Sequence, residues 1–109
     1  MSGYSTGGRL YDADLRISTS TSGDNQLFAA VVGRRHRVHG LRLSVAGAVT
    51  VQLRSASTVL ETFVFAGAGY AYVLPTRVAH YMQTAENEAL NLNLSGAVQV
   101  NGVLEYGQN

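Results

Sequence analysis

Apolar and polar residues alternate along most of this chain, and the dominant period is two. Leu15 and Ile17 open a first short strand, and the apolar run 27–32 reads as a second before Gly33. Between 38 and 45, Leu41, Leu43 and Val45 share one face while Arg42 and Ser44 take the other. Val49, Val51 and Leu53 alternate next against Thr50, Gln52 and Arg54, and residues 58–65 follow. Residues 70–74 read as a strand that stops at Pro75, which has no N–H to give to a ladder. A weaker strand covers 81–84. Leu90, Leu92 and Leu94 then alternate against Asn91 and Asn93, and the last stretch carries Val98, Val100, Leu104 and Tyr106. A period of two marks a half-buried strand, and no segment sustains the 3.6-residue period of a helix. Eight or nine short strands at roughly 8–12-residue spacing are the pattern of a sandwich or small barrel. The expectation is an all-β chain: a two-sheet antiparallel sandwich, jelly-roll-like, over 14–109, behind a flexible N-terminal arm over 1–13.

Two details refine that picture. Residues 41–51 and 90–100 align with six of eleven positions identical, 49 residues apart, each copy reading strand, Gly-Ala connection, strand. Parity is kept across the connection, which favours a three-residue loop or a crossing between sheets over a two-residue turn. Two related strand pairs half a chain apart fit the two Greek keys of a jelly roll. The second detail is Asn101-Gly102. Asn-Gly is a strong hairpin signal, yet Val98, Val100, Leu104 and Tyr106 fall on one face only if the strand runs straight through. Gly102 is therefore expected at a close backbone approach or bulge.

Length and composition set the frame. The chain has 109 residues, one domain's worth, and 46% of them are apolar, enough for a core without disulfides. Cysteine is absent, which excludes a disulfide framework and a thiolate metal site. No apolar run approaches the roughly 18 residues that span a bilayer, and the first residues lack the basic and apolar regions of a signal peptide. These features predict a soluble chain made in a cytoplasm, with no membrane partner. The net charge is +1, too small to argue for nucleic acid. All eight cations are arginine. Arginine suits interfaces, where lysine is depleted; a lysine-poor genome would give the same usage.

The candidate chemistry is thin. Residues 3–7, GYSTG, match the G-x-S-x-G nucleophile elbow, which works only on a sharp strand-to-helix turn. Neither element flanks it here, so it reads as part of the Gly/Ser-rich arm. His36 and His39 stand three apart on a strand and point to opposite faces, so they do not share a metal. In the basic run 34–37, alternation places Arg35, Arg37 and His39 on one face and Arg34 and His36 on the other. Tyr70, Tyr72 and Tyr81 offer stacking surfaces. Glu86-Asn87-Glu88 forms a small acidic loop: a polar turn, a Ca²⁺ ligand set, or a partner for the arginines of a neighbouring copy. No carboxylate pair suggests glycosidase geometry. No catalytic, cofactor-binding or metal-binding residue is predicted. The candidate protein contacts are Tyr4, Arg9 and Tyr11 in the arm, Arg34, Arg35, Arg37 and His39 in the basic run, and Glu86 and Glu88 in the acidic loop.

The segments LFAAVVGRRHRVHGL (27–41), GAGY (67–70), TAENEAL (84–90) and VNGVLEY (100–106) occur in an order that resembles small β-sandwich virion proteins of tailed bacteriophages. The similarity spans about residues 25–107 and rests mostly on strand punctuation. This chain differs in having Arg and His where Lys and Ile are usual, and Glu86-Asn87 where a glycine usually stands. The resemblance implies a structural role in a virion: capsid decoration or cement, or a head or tail appendage, often as a homotrimer. The expected partners are the major capsid protein or other virion subunits, with synthesis in the host bacterial cytoplasm. The alternative is a head- or tail-fibre module that binds a host-surface glycan through the tyrosines. The resemblance brings no catalytic residue with it.

Overall fold

In the computed structural model, residues 13–73 and 82–108 are described. They form nine strands: β1 (Ala13–Thr19), β2 (Gly23–Phe28), β3 (His36–Val45), β4 (Val49–Ser55), β5 (Thr58–Phe65), β6 (Gly69–Val73), β7 (Met82–Gln83), β8 (Leu90–Leu94) and β9 (Val100–Gln108). Two sheets result, with strand orders β1-β9-β3-β6 and β2-β8-β4-β5; the short β7 extends the first sheet beside β3. Every pairing between strands is antiparallel. Set apart β7, and eight strands wrap between two sheets in the order of a jelly roll. The expected sandwich is the observed one.

The alternating residues supply the core. Ile17, Val38, Leu41, Leu43, Val45, Val100 and Leu104 point inward from the first sheet. Val49, Val51, Leu53, Leu90, Leu92 and Leu94 meet them from the second. Burying one such side chain stabilises by roughly 1.5–3 kcal/mol relative to leaving it exposed. Polar neighbours on each strand face out, so a one-residue slip would expose the whole set.

The internal repeat is visible in the hydrogen bonding. Both copies cross between sheets, β3 to β4 in one direction and β8 to β9 in the other. A pseudo-two-fold relation exchanges the two sheets. Val45 pairs with Val100, and the shifted positions Leu94 and Val51 pair as well. Leu43 with Gly102 answers to Leu92 with Leu53, and Leu41 with Leu104 to Leu90 with Ser55. The connections match too: Ala46 N donates to the Gln99 carbonyl, and Ser95 N to the Thr50 carbonyl, both at 3.0 Å.

Three local features depart from simple alternation. Gly102 lies within a continuous β9, as its parity required. A Cβ there would stand 1.9 Å from the Arg42 carbonyl oxygen and 3.1 Å from Leu43 Cα. In β3 the register shifts between Val38 and Gly40, so His36 and Val38 point inward before the bulge and Leu41, Leu43 and Val45 after it. The second strand lies over Gly23–Phe28, not over 27–32. Its outward residues Asp24 and Gln26 are polar. Asn25 closes the β1–β2 turn, its Oδ1 accepting from Thr19 Oγ1 at 2.7 Å and its Nδ2 donating to the Thr21 carbonyl at 2.9 Å. A strand without apolar alternation gives no periodic signal, and the apolar residues after it belong to a loop. Leu74, Pro75, His80, Tyr81 and the expected arm up to residue 12 lie outside the described residues.

Candidate protein-contact site

One end of the sandwich gathers three connections: the β2–β3 loop, the β7–β8 loop and the β4–β5 turn. The β2–β3 loop leaves the sheet at Ala29, whose carbonyl accepts from His36 Nε2 at 2.8 Å. The His36 ring is buried and stacks on Phe28 at 5.2 Å between centroids; Phe28 in turn packs on Tyr106 at 4.4 Å. The chain then turns over residues 31–34, with Arg34 N donating to the Val31 carbonyl at 3.0 Å. Gly33 takes φ +76° at the third position, the left-handed conformation that a type II turn needs there. This places Val32 at the tip, 91% exposed, beside the exposed Val31 and Arg34.

The acidic loop grips that turn. Asn87, itself at φ 66°, accepts from Gly33 N through Oδ1 at 2.6 Å and donates its backbone N–H to the Arg34 carbonyl at 3.1 Å. Thr84 fastens the base of the loop: its Oγ1 accepts from His36 N at 3.0 Å, and its N–H donates to the His36 carbonyl at 2.9 Å. The Arg35 guanidinium reaches the Thr84 carbonyl at 3.5 Å. Below, Ser55 Oγ donates to Glu88 Oε1 at 2.5 Å and accepts from Ala85 N at 3.0 Å. The result is a pinned, preorganised knob with an apolar tip and a basic flank.

The predicted contact residues therefore separate. Arg34, Arg35, Glu86 and Glu88 come together in this cluster, although far apart in sequence. Arg34 and Glu86 are exposed, whereas Glu88 is half-buried and spends an oxygen on Ser55. The acidic loop admitted three readings: a polar turn, a Ca²⁺ ligand set, or a partner for arginines of a neighbouring copy. The turn is what is seen, and through Asn87 it holds the arginine loop of its own chain. Arg37 and His39 sit further along β3, half-buried and facing outward. Arg37 Nε is buried without a hydrogen-bond partner, and so is Oε1 of Gln83, which pairs with Arg37 across β3 and β7. Tyr4, Arg9 and Tyr11 lie outside the described residues. The alternation missed Val32, because an apolar run before a glycine reads as buried strand. It missed Asn87 because an amide clamp depends on a fold-level contact. Among the described residues, no group of three His, Asp or Glu side chains is placed to hold a metal ion.

A second surface lies on the outer face of the first sheet. Register sets Arg16, Val103, Arg42 and Tyr72 in one row across β1, β9, β3 and β6. Ser18, Asn101, Ser44 and Tyr70 form the next row. Tyr70 is 77% exposed and Tyr72 57%. A depression of about 480 Å³ opens between Arg16, Ser18, Arg42, Ser44, Tyr70 and Asn101. A smaller one, about 250 Å³, lies on the other side of Arg42 against Tyr72, Asp14 and Glu105.

No family model, curated protein or solved structure matches this chain.

Proposed function

We propose that this chain is a structural, non-catalytic protein of a bacteriophage virion that decorates or cements the capsid by bridging shell subunits. The virion assignment rests on the segment resemblance. The observation that carries the binding reading is the knob. A valine 91% exposed at a turn tip contributes nothing to its own core, yet the turn beneath it is fixed by Asn87, Thr84 and the His36 ring. A loop held in its bound shape loses less entropy on association. Arg34 beside the tip adds a residue type enriched in interfaces. In this reading the knob inserts against the major capsid protein, and the rigid sandwich transmits load between neighbouring shell subunits against the outward pressure of packed DNA. The isolated protein is a homotrimer, which light scattering on a sizing column measures directly.

The test is reconstitution onto shells that lack this protein. Wild-type chain is expected to raise the temperature at which particles rupture. Val32→Asp is expected to melt as the wild type does and to leave the rupture temperature where it was. Equal protection by wild type and Val32→Asp would remove the knob from the contact. Failure of wild-type chain to bind shells or change rupture would end the decoration reading.

A further inference from the structure

We propose that the outer face of the first sheet is a binding site for a carboxylated oligosaccharide, held between the Tyr70–Tyr72 edge and the Arg16–Arg42 row. The site lies away from the knob and stands whether or not the knob docks on a capsid.

Four features of the face converge on that ligand. The first is the pair of rings. Tyr70 and Tyr72 alternate on the same side of edge strand β6, about 7 Å apart at two residues of strand rise. Both are exposed. Flat aromatic rings in water stack on the C–H faces of pyranoses, and a tyrosine offers that surface with little conformational entropy to lose. The second is the arginine pair. Arg16 and Arg42 flank Val103 in one row, two strand spacings or about 10 Å apart at their backbones. That separation lets both long side chains reach over the valine to one group. Among the described residues neither guanidinium makes a hydrogen bond or ion pair. A free planar fork of donors matches a carboxylate in bidentate fashion.

The third feature is the small-polar row. Ser18, Ser44 and Asn101 line the larger depression. Gln99 Nε2 reaches Ser18 Oγ at 3.3 Å and Asn101 Oδ1 at 3.0 Å, tying that row together before any ligand arrives. Hydroxyl and amide groups of this kind exchange hydrogen bonds with sugar hydroxyls. The fourth decides between two polymers that would both welcome arginine and tyrosine. Asp14 and Glu105 stand directly opposite each other across β1 and β9, one row beyond Arg16 and Val103. They line the smaller depression with Tyr72. Two facing carboxylates repel a phosphate backbone continuing along the face, yet accept hydrogen bonds from sugar hydroxyls. A single acidic sugar seated on the arginines, with neutral neighbours either side, meets that repulsion at one charge about 7 Å away, whereas a phosphate backbone meets it at every step along the face. The pattern of an apolar surface with a few convergent polar groups is that of a ligand site.

The experiment is a nitrogen-15 NMR titration of the full chain with hyaluronan tetrasaccharide and sialyllactose, in which each acidic sugar has a neutral neighbour. The methyl esters of both sugars, lactose and an eight-nucleotide oligo-dT serve as comparison arms. At least one carboxylated sugar is expected to shift amides around Arg16, Arg42, Tyr70 and Tyr72. Its methyl ester or neutral counterpart, and the variant Arg42→Gln, are expected to bind about tenfold or more weakly, as loss of a charge-assisted hydrogen bond predicts. Tyr72→Ala is expected to weaken binding through loss of the ring on which the sugar stacks. Both variants are expected to melt within a few degrees of wild type, the shift that a small loss of stability at the surface gives in a domain of this size. No shift on this face with either acidic sugar overturns the proposal. Equal binding of ester and acid, or of the variants and wild type, overturns it as well. Tighter binding of oligo-dT would assign the face to single-stranded nucleic acid instead.

Discussion

On the outer face of the second sheet, Gln52 Oε1 accepts from Arg54 Nε at 3.0 Å and Nη2 at 2.6 Å, and Asp24 stands 3.7 Å from Nη1. Asp24 also accepts from Asn93 Nδ2 at 2.8 Å, and Gln52 Nε2 reaches Thr62 Oγ1 at 3.4 Å. On the outer face of the first sheet, Arg42 has no such partner among the described residues, and two tyrosines stand exposed beside it. These faces are the same place twice. The pseudo-two-fold that carries Leu43 onto Leu92 also carries Arg42 and Ser44 onto Asn91 and Asn93, and Asn101 and Val103 onto Gln52 and Arg54. All the identical residues of the repeat except Gly47, Gly96 and their alanine neighbours point inward; the outward ones all differ. Burial restricts an inward position to an apolar side chain of the right size, whereas an outward one answers to whatever the face must do. One face has closed its hydrogen bonds on itself. Its twin leaves guanidinium forks and rings open to another molecule.

The sharpest break in the symmetry is inside the sheets, at Gly102 and its counterpart Leu53. Leu53 is fully buried. At Gly102 the backbone of β3 occupies the space a side chain would need. Gly102→Ala is therefore expected to give the largest effect, at least about 3 kcal/mol, because a backbone clash finds no rotamer to relieve it. Leu53→Ala, the opposite change at the twin position, is expected to cost about 2–5 kcal/mol through its cavity. Urea melts of both measure this. A Gly102→Ala midpoint within error of wild type would show that β9 and β3 do not approach this closely.

Gly102 also marks how far the sequence could be read. Parity alone argued that Asn101-Gly102 lay within a strand, since a hairpin would have scattered Val98, Val100, Leu104 and Tyr106 over two faces. In both repeat copies parity favoured a three-residue loop or a crossing between sheets, and each copy makes the crossing. Parity failed where polar residues build the strand, at Asp24 and Gln26, and where a bulge resets the phase, at Gly40. The site was less legible. Arg34, Arg35, Glu86 and Glu88 were visible as charge, but not that Asn87 would lock one loop to the other. The tyrosines were visible as rings. Their row-mates Arg16 and Arg42 were not, because register across three strands is a property of the fold.

The two central arginines test the comparison at intermediate size. Arg54→Ala removes hydrogen bonds to Gln52 and an ion pair with Asp24, both partly exposed, and is expected to cost about 1 kcal/mol, shrinking in molar salt. Arg42→Ala removes no bond and is expected to stay within about 0.5 kcal/mol of wild type. Equal losses, unaffected by salt, would mean that the two faces are built alike.

The smallest effect should come from the tyrosines themselves. Tyr72→Ser strips a ring that is 57% exposed, with no hydroxyl partner among the described residues, from an edge strand. The cost is limited to the reduced strand preference of serine and partial loss of contact with Arg42, in total about 0.5 kcal/mol. Val64→Ser on β5, an edge strand of the other sheet, makes a fair control: Val64 is 76% exposed and lies opposite Thr50. Similar small losses for both are expected in thermal melts. If Tyr72→Ser instead cost well over 1 kcal/mol while Val64→Ser cost almost nothing, the ring would be a packing element of the sheet. The open face would then be part of how this chain folds, and its rings would not be waiting for a ligand.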